Sequence, residues 1–202
     1  MKLYYSPGAC SLAAHIALRE SGVTFDLEKV DLGQHQTASG GDYYRINPKG
    51  YVPTLKLDDD GVLSEAAVVL QYIADKKPES DLAPKPGTME RYRLMEWLTF
   101  ISSEIHKTFT PFFHPEAGSK DAAKAQLAKR FDYVEKRLAE KPWLMGDTFT
   151  VADAYLFVVA NWTNTHEIDL SKWPQLKDFM ARVKARQKVQ EAMKAEGLIG
   201  TS

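Results

Sequence analysis

One cysteine among 202 residues rules out a disulfide within the chain, and nothing asks for an oxidising compartment. No apolar run approaches the roughly 20 residues that cross a bilayer. The opening MKLYYSPGAC is broken by Pro7-Gly8 before a signal-peptide core can form, so the expected setting is cytoplasmic, with no membrane partner. A surplus of either charge is also missing: 26 basic residues face 27 acidic ones, for a formal net charge of −1. A general nucleic-acid binder normally carries a basic stripe, so no nucleic-acid partner is expected. The five histidines show neither H-E-x-x-H nor another paired-ligand spacing, and no metal is expected. There is no G-x-S-x-G elbow for a serine hydrolase, and no internal repeat.

What is present divides into two textures. KLYY is a short strand pattern stopped by Ser6-Pro7-Gly8, and Leu12, Ala13, Ile16 and Ala17 then fall at helical spacing before Gly22, where a helix would end. TFDLEKV alternates as a second strand, and strand, helix, strand predicts a βαβ unit with a parallel pair. The turn-rich stretch up to Gly50 predicts a loop with one helical turn near DYYRI. VPTLKL and GVLS predict a hairpin around the acidic turn DDDG, and EAAVVLQYIADKK predicts a helix. Three prolines within residues 78–87 mark a linker. Beyond it the patterns are helical. From Met89 to Phe113, Leu94, Leu98, Ile101, Ile105, Phe109 and Phe112 form an apolar stripe, while Thr99, Ser103, His106 and Thr110 form a polar one. DAAKAQLAKRFDYVEKRLAEK is amphipathic and stops at Pro142. Thr150 and Asp153 form a capping box that opens a mostly apolar, buried helix. Two shorter helices finish the chain.

Three stretches carry chemistry. In SPGACSL the lone thiol of Cys10 follows a strand and opens a helix, where backbone N–H groups and the positive end of the helix dipole favour thiolate. Taken alone, Cys10 also fits a small buried apolar residue. In YVPTL, a cis Val52-Pro53 bond would turn the backbone N–H and C=O of Val52 outward to pair with an extended peptide. In SEA, Glu65 stands at a strand-to-helix junction. It either assists the helix start, or takes a ligand ammonium while the helix N-terminus takes a carboxylate.

Together these residues resemble a known family. YYSPGACSLAAHIALRESG is similar to the opening of bacterial beta-class glutathione transferases, and the resemblance continues through NPKGYVPTL, LSEAAVVLQYIAD, EIHK and WLMGDTFTVADAYLF. It implies an α/β plus all-α fold: a thioredoxin-like glutathione-binding domain over 1–77, the linker 78–87, and an all-helical domain over 88–202. It further implies a homodimer with glutathione as co-substrate in the interdomain cleft. Cys10 then faces the glutathione sulfur, with Ala9 beside it. Val52 and Pro53 clamp the cysteinyl backbone, Tyr51 is a further glutathione contact, Glu65 and Ala66 receive the γ-glutamyl end, and His35 lies near the glycyl end. Ser103, Glu104, His106 and Lys107 approach from the helical domain, and His106 can hydrogen-bond the sulfur or accept its proton.

The chain departs from the beta-class pattern at Ala66, where a serine or glycine is usual, and at His35, where a lysine is frequent. Tyr5 and Ser11 are further candidates to activate glutathione, since other classes use tyrosine or serine. Phe109, Thr110 and Phe113 are candidates for the pocket of a small hydrophobic electrophile. The implied activity is glutathione conjugation, as in detoxification. The alternatives are a thiol transferase or peroxidase acting through a Cys10 mixed disulfide, and a non-catalytic scaffold that kept the fold.

Overall fold

The structure is a computed structural model that describes residues 1–200. The chain forms two compact units, Pro84–Lys184 on one hand and Met1–Ala83 with residues 185–200 on the other. In the first unit, β1 (Lys2–Tyr5) leads through α1 (Ser11–Ser21) to β2 (Asp26–Asp31), then β3 (Gln36–Thr37), β4 (Thr54–Lys56), β5 (Val62–Ser64) and α2 (Ala66–Lys76). The sheet order is β3-β2-β1-β4-β5. β1 pairs parallel with β2, and antiparallel with β4 with Leu3 opposite Leu55. The expected βαβ unit and hairpin are both present. The edge strand β3, two residues long, was not foreseen because it is too short to show alternation.

The sheet buries Leu3 and Leu55 completely, and α1 packs against α2 with Leu12, Ile16, Leu70 and Ile73 buried. Burying each such side chain stabilises by about 1.5–3 kcal/mol. Gly22 ends α1 in the left-handed conformation at φ 71°, as its position predicts.

The helical unit opens with α3 (Met89–Phe100), whose Thr88 cap accepts from the Arg91 N–H. The apolar stripe predicts one α-helix through Phe113. The structure instead widens into a π-helical turn at Ile101–His106, tightens into a 3₁₀ turn at Lys107–Phe109 and ends in α4 (Thr110–Phe113). Leu94, Leu98, Ile101, Ile105, Phe109 and Phe112 are nevertheless all buried. A wide turn followed by a tight one keeps the stripe in register, so side-chain periodicity alone does not reveal the irregularity.

α5 (Lys120–Glu140), α6 (Val151–Thr165) and α7 (Pro174–Lys184) complete the unit. The capping box that opens α6 forms as predicted. The buried Asp153 carboxylate accepts from the Leu144 and Thr150 N–H groups, each at 2.8 Å, and from the Thr150 hydroxyl at 3.0 Å.

The last helix, α8 (Gln187–Ala195), is where the expected boundary differs. The sequence assigns it to the helical domain over 88–202, yet it packs on α1, and Arg186 forks onto Glu20 at 2.6 and 2.9 Å. Helical periodicity shows that α8 has an apolar face but not which unit covers it. Residues 201 and 202 of that expected domain lie outside the described residues.

Burial pushes Asp153 up to about 6, against the hydrogen bonds that pull it down. Asp153→Asn turns an amide NH₂ towards a backbone donor and is expected to cost about 2 kcal/mol at neutral pH. Because the folded-state value lies above the ordinary one, the stability linked to this carboxyl is full at low pH and is lost as pH rises through about 6. Thermal melts should therefore show the gap between wild type and variant narrowing from pH 4 to pH 7, and a constant gap refutes the assignment.

Candidate functional site

Cys10 is the N-cap residue of α1, and its Sγ–H donates to the Val52 carbonyl at 3.1 Å. The loop before it is held from both sides. The Ser11 side chain is fully buried, and its hydroxyl bridges the Ser6 N–H and carbonyl, each at 3.2 Å, so Ser11 braces the loop rather than facing a ligand. Gly8, at φ 71°, donates its N–H to Glu196 Oε2 at 2.9 Å. A side chain there would be strained, and its Cβ would meet Leu198 at 3.3 Å.

Glu196 is buried and extends this grip into a chain of hydrogen bonds. Its Oε1 lies 2.9 Å from His15 Nδ1, and Arg19 Nε–H donates to His15 Nε2 at 2.8 Å. The arginine can only donate, so Nε2 carries the lone pair and Nδ1 the proton. His15 is thus a neutral bridge between a buried carboxylate and a guanidinium. Tyr5 ends β1 beside this network. Burial, then the Glu196 charge, hold its phenol above the usual range, so Tyr5 can donate a hydrogen bond but resists becoming a base.

The Val52-Pro53 bond is cis, the geometry that the clamp expectation requires. It rests on residues that sequence reasoning did not single out. Tyr43 and Asn47 both donate to the Tyr51 carbonyl at 2.8 Å, and Thr54 Oγ1 lies 2.7 Å from the Tyr43 hydroxyl. Tyr43 is wholly buried and Tyr51 is exposed. The Asn47-Pro48 pair was the available signal, since it marks a turn. The Val52 carbonyl has two lone pairs, so it can accept from a ligand N–H while keeping the Cys10 bond.

Glu65 is the N-cap of α2 with φ 70° and ψ 115°, a conformation a side chain rarely adopts. Its carboxylate is exposed and sits 2.7 Å from Lys49 Nζ, while Ala66 is buried as the first residue of α2. His35 also has positive φ, at 49°, and its ring stacks on Tyr44 at 4.3 Å. Gly50 gives that pair room, because a Cβ there would fall 2.9 Å from Tyr44 and 3.0 Å from His35. Ala9 packs against the cluster of Tyr4, Val30, Tyr43 and Val52. The first unit therefore gathers Ala9, Cys10, Val52 and Pro53, with Ser11 as a brace.

In the helical unit the candidates have different partners within the unit. His106 Nδ1 lies 2.7 Å from the Tyr155 hydroxyl, and its ring is 4.9 Å from Trp162, both on α6. Ser103, Lys107 and Thr110 line a shallow cavity of about 340 Å³ with Ser119 and Gln126. Glu104 pairs with Arg130. The Lys107 N–H reaches back to the Ser102 carbonyl, five residues away.

The predicted electrophile pocket needs one correction. Phe109 is 0% exposed and belongs to the core, whereas Phe113 is 47% exposed. Phe113 meets Trp162 edge-on at 5.1 Å and His166 at 4.9 Å. Burial, aided by the Lys120 charge, holds His166 below the ordinary histidine range. Phe113 thus belongs to an aromatic cluster with Trp162 and His166, two residues 49 and 53 positions further along, which no local pattern connects to it.

Among the described residues, no group of three or more His, Cys, Asp or Glu could hold a metal ion, and no helix is long and apolar enough to cross a membrane.

With this geometry in view, comparisons with known proteins are consistent with the two-part layout. The family model for the glutathione S-transferase N-terminal domain matches residues 8–76, and that for the C-terminal domain matches residues 100–187. The glutathione S-transferase GstA of Escherichia coli O157:H7 is 45% identical over 200 residues, covering 98% of this chain and 100% of its own. The solved structure of a sphingomonad glutathione S-transferase complexed with glutathione is 44% identical with a TM-score of 0.94, covering 98% of this chain and 100% of that one. A beta-class glutathione S-transferase from Sphingomonas chungbukensis is 47% identical with a TM-score of 0.93, at the same coverage.

The hold of Glu196 on the thiol loop is testable. Glu196→Gln keeps one acceptor but sets an amide NH₂ against a donor, and is expected to cost about 2–4 kcal/mol. The Gly8 amide should then lose its protection in hydrogen exchange. Unchanged protection at Gly8 would show that the carboxylate does not hold this loop.

Proposed function

The chain belongs to the glutathione S-transferase family and resembles its bacterial beta class, and from that premise we propose how its residues bind and use glutathione. The Val52 N–H and C=O pair with the cysteinyl backbone of glutathione. The first-turn N–H groups at Ala66 take the γ-glutamyl carboxylate, and Glu65 takes its ammonium. His35 and Tyr51 flank the glycyl side. Cys10 meets the glutathione sulfur, and His106 hydrogen-bonds it, with Lys107, Ser103 and Glu104 as further contacts. Conjugation then proceeds when the thiolate forms a carbon–sulfur bond with a small hydrophobic electrophile resting on Phe113 and Thr110. The thiol proton passes to solvent; in substitution the leaving group departs with the electron pair of the bond that breaks, and in addition the π electron pair stays on the electrophile and takes up a proton.

The observation that carries this reading is the 3.1 Å contact between Cys10 Sγ and the Val52 carbonyl, which joins the thiol and the peptide-pairing backbone in one place. The γ-glutamyl assignment is supported by the strained backbone at Glu65.

A homodimer is part of the same reading. Met89, Tyr92 and Met95 stand exposed at three-residue spacing on α3, an apolar strip that a second copy would cover. Sulfur chemistry of this kind fits a reducing, cytoplasmic setting.

Calorimetry with glutathione on wild type and Cys10→Ala, followed by assays with an aryl halide and a glutathione mixed disulfide, tests the roles. Both proteins should bind glutathione. Conjugation by the variant should stay within roughly tenfold of wild type, because the glutathione thiolate is the nucleophile. Mixed-disulfide reduction by the variant should vanish. Loss of both activities together instead favours the thiol-transferase chemistry, and wild type that binds no glutathione sinks the proposal. Glu65→Gln should weaken glutathione binding about 10–100-fold, the usual cost of losing one charged hydrogen bond.

A further inference from the structure

α6 is a buried apolar helix apart from a few groups, and Tyr155 is the one whose hydroxyl reaches a candidate site residue. Its side chain is 2% exposed, and its oxygen lies 2.7 Å from His106 Nδ1. The two rings stand edge to face, with centroids 5.9 Å apart at 89°, and Trp162 packs against the same imidazole. The ring is therefore confined by Trp162 and held at Nδ1 by the phenol. His106 is the last residue of the π-helical turn Ile101–His106. Such turns recur at functional sites because they re-aim a side chain within a helix.

The direction of the bond follows from proton affinities. A phenol of ordinary pKa near 10 is the better donor, and a neutral imidazole nitrogen is the better acceptor. A proton donated by Tyr155 into Nδ1 requires the imidazole's own proton to sit on Nε2.

We propose that Tyr155 is a positioning residue for the transferase reaction: its hydroxyl fixes His106 in the Nε2–H tautomer, so that the imidazole donates a hydrogen bond to the glutathione thiolate. This rests on the reading of His106 as a sulfur contact. A donor aimed at the sulfur stabilises the thiolate over the thiol. The opposite tautomer would aim a lone pair at it.

Tyr155→Phe removes only the hydroxyl. At pH 6.5 it should lower kcat/KM with an aryl halide roughly tenfold, the scale of one hydrogen bond to a charged group. The acidic limb of the pH profile should move up by about half to one pH unit, with much of the loss recovered at high pH. His106→Ala should show the larger defect, and adding Tyr155→Phe to it should change nothing more, because the phenol acts only through the imidazole. A purely structural role would lower the melting temperature but leave the pH profile in place, and its effect would add in full to that of His106→Ala. Either result overturns the proposal, as does a His106→Ala variant with wild-type kinetics. Wild type without glutathione turnover is a separate failure, that of the functional reading. Should Tyr155→Phe not fold, long-range ¹H–¹⁵N spectra of wild-type His106 decide, since a proton found on Nδ1 contradicts the assignment.

Discussion

A carboxylate near the end of the chain, Glu196, is buried under the loop that begins the first helix, and the position of Cys10 depends on it. Removing a charge from water costs several kcal/mol unless other groups replace the lost hydration. Here the Gly8 amide and the His15 Nδ1–H supply that replacement, and Arg19 supplies the counter-charge through the imidazole. The donors and acceptors of the network are fixed, because the guanidinium dictates the tautomer of His15 and the tautomer dictates what Glu196 accepts. The loop from Ser6 to Cys10 is thus constrained by a long-range polar contact as well as by its own turn, and α8 is part of the first unit for the same reason.

The helical unit meets a different demand. The chain widens at Ile101–His106 and tightens at Lys107–Phe109, yet Ile105 and Phe109 stay buried, His106 reaches the Tyr155 hydroxyl and Lys107 is exposed. Helix periodicity records the buried stripe and is blind to the change of helix type and to the partner of His106.

That difference explains what could be read in advance. The βαβ opening, the hairpin, the linker, the buried stripe and the Thr150–Asp153 box are local patterns, each written within a few turns of chain. Cys10, Val52, Pro53 and Glu65 stand at turns and junctions that the sequence marks, while the roles expected of them came from the family resemblance. Tyr43 supporting Tyr51, Tyr155 supporting His106, and Glu196 supporting Gly8 were not, because their meaning lies in a partner 8, 49 or 188 positions away. Phe109 was placed in the electrophile pocket because it is aromatic and neighbours the polar stripe, whereas its full burial serves the core.

Glu65 shows how strain and packing combine at the remaining edge of the site. Its φ of 70° with ψ of 115° lies outside the left-handed well that asparagine or aspartate tolerates, so a glycine would relieve a cost on the order of 1–3 kcal/mol. Glycine would also remove the carboxylate from the start of α2. The helix that follows buries Val69, Leu70 and Ile73, enough apolar surface to hold the junction in its unfavourable conformation. A strained backbone that retains a charged side chain, where a neutral and flexible residue would be more stable, is the mark of a position whose charge is used. Its exposed partner Lys49, 2.7 Å away, gives the carboxylate a weak, solvent-screened ion pair. A ligand ammonium can therefore displace that lysine at small cost.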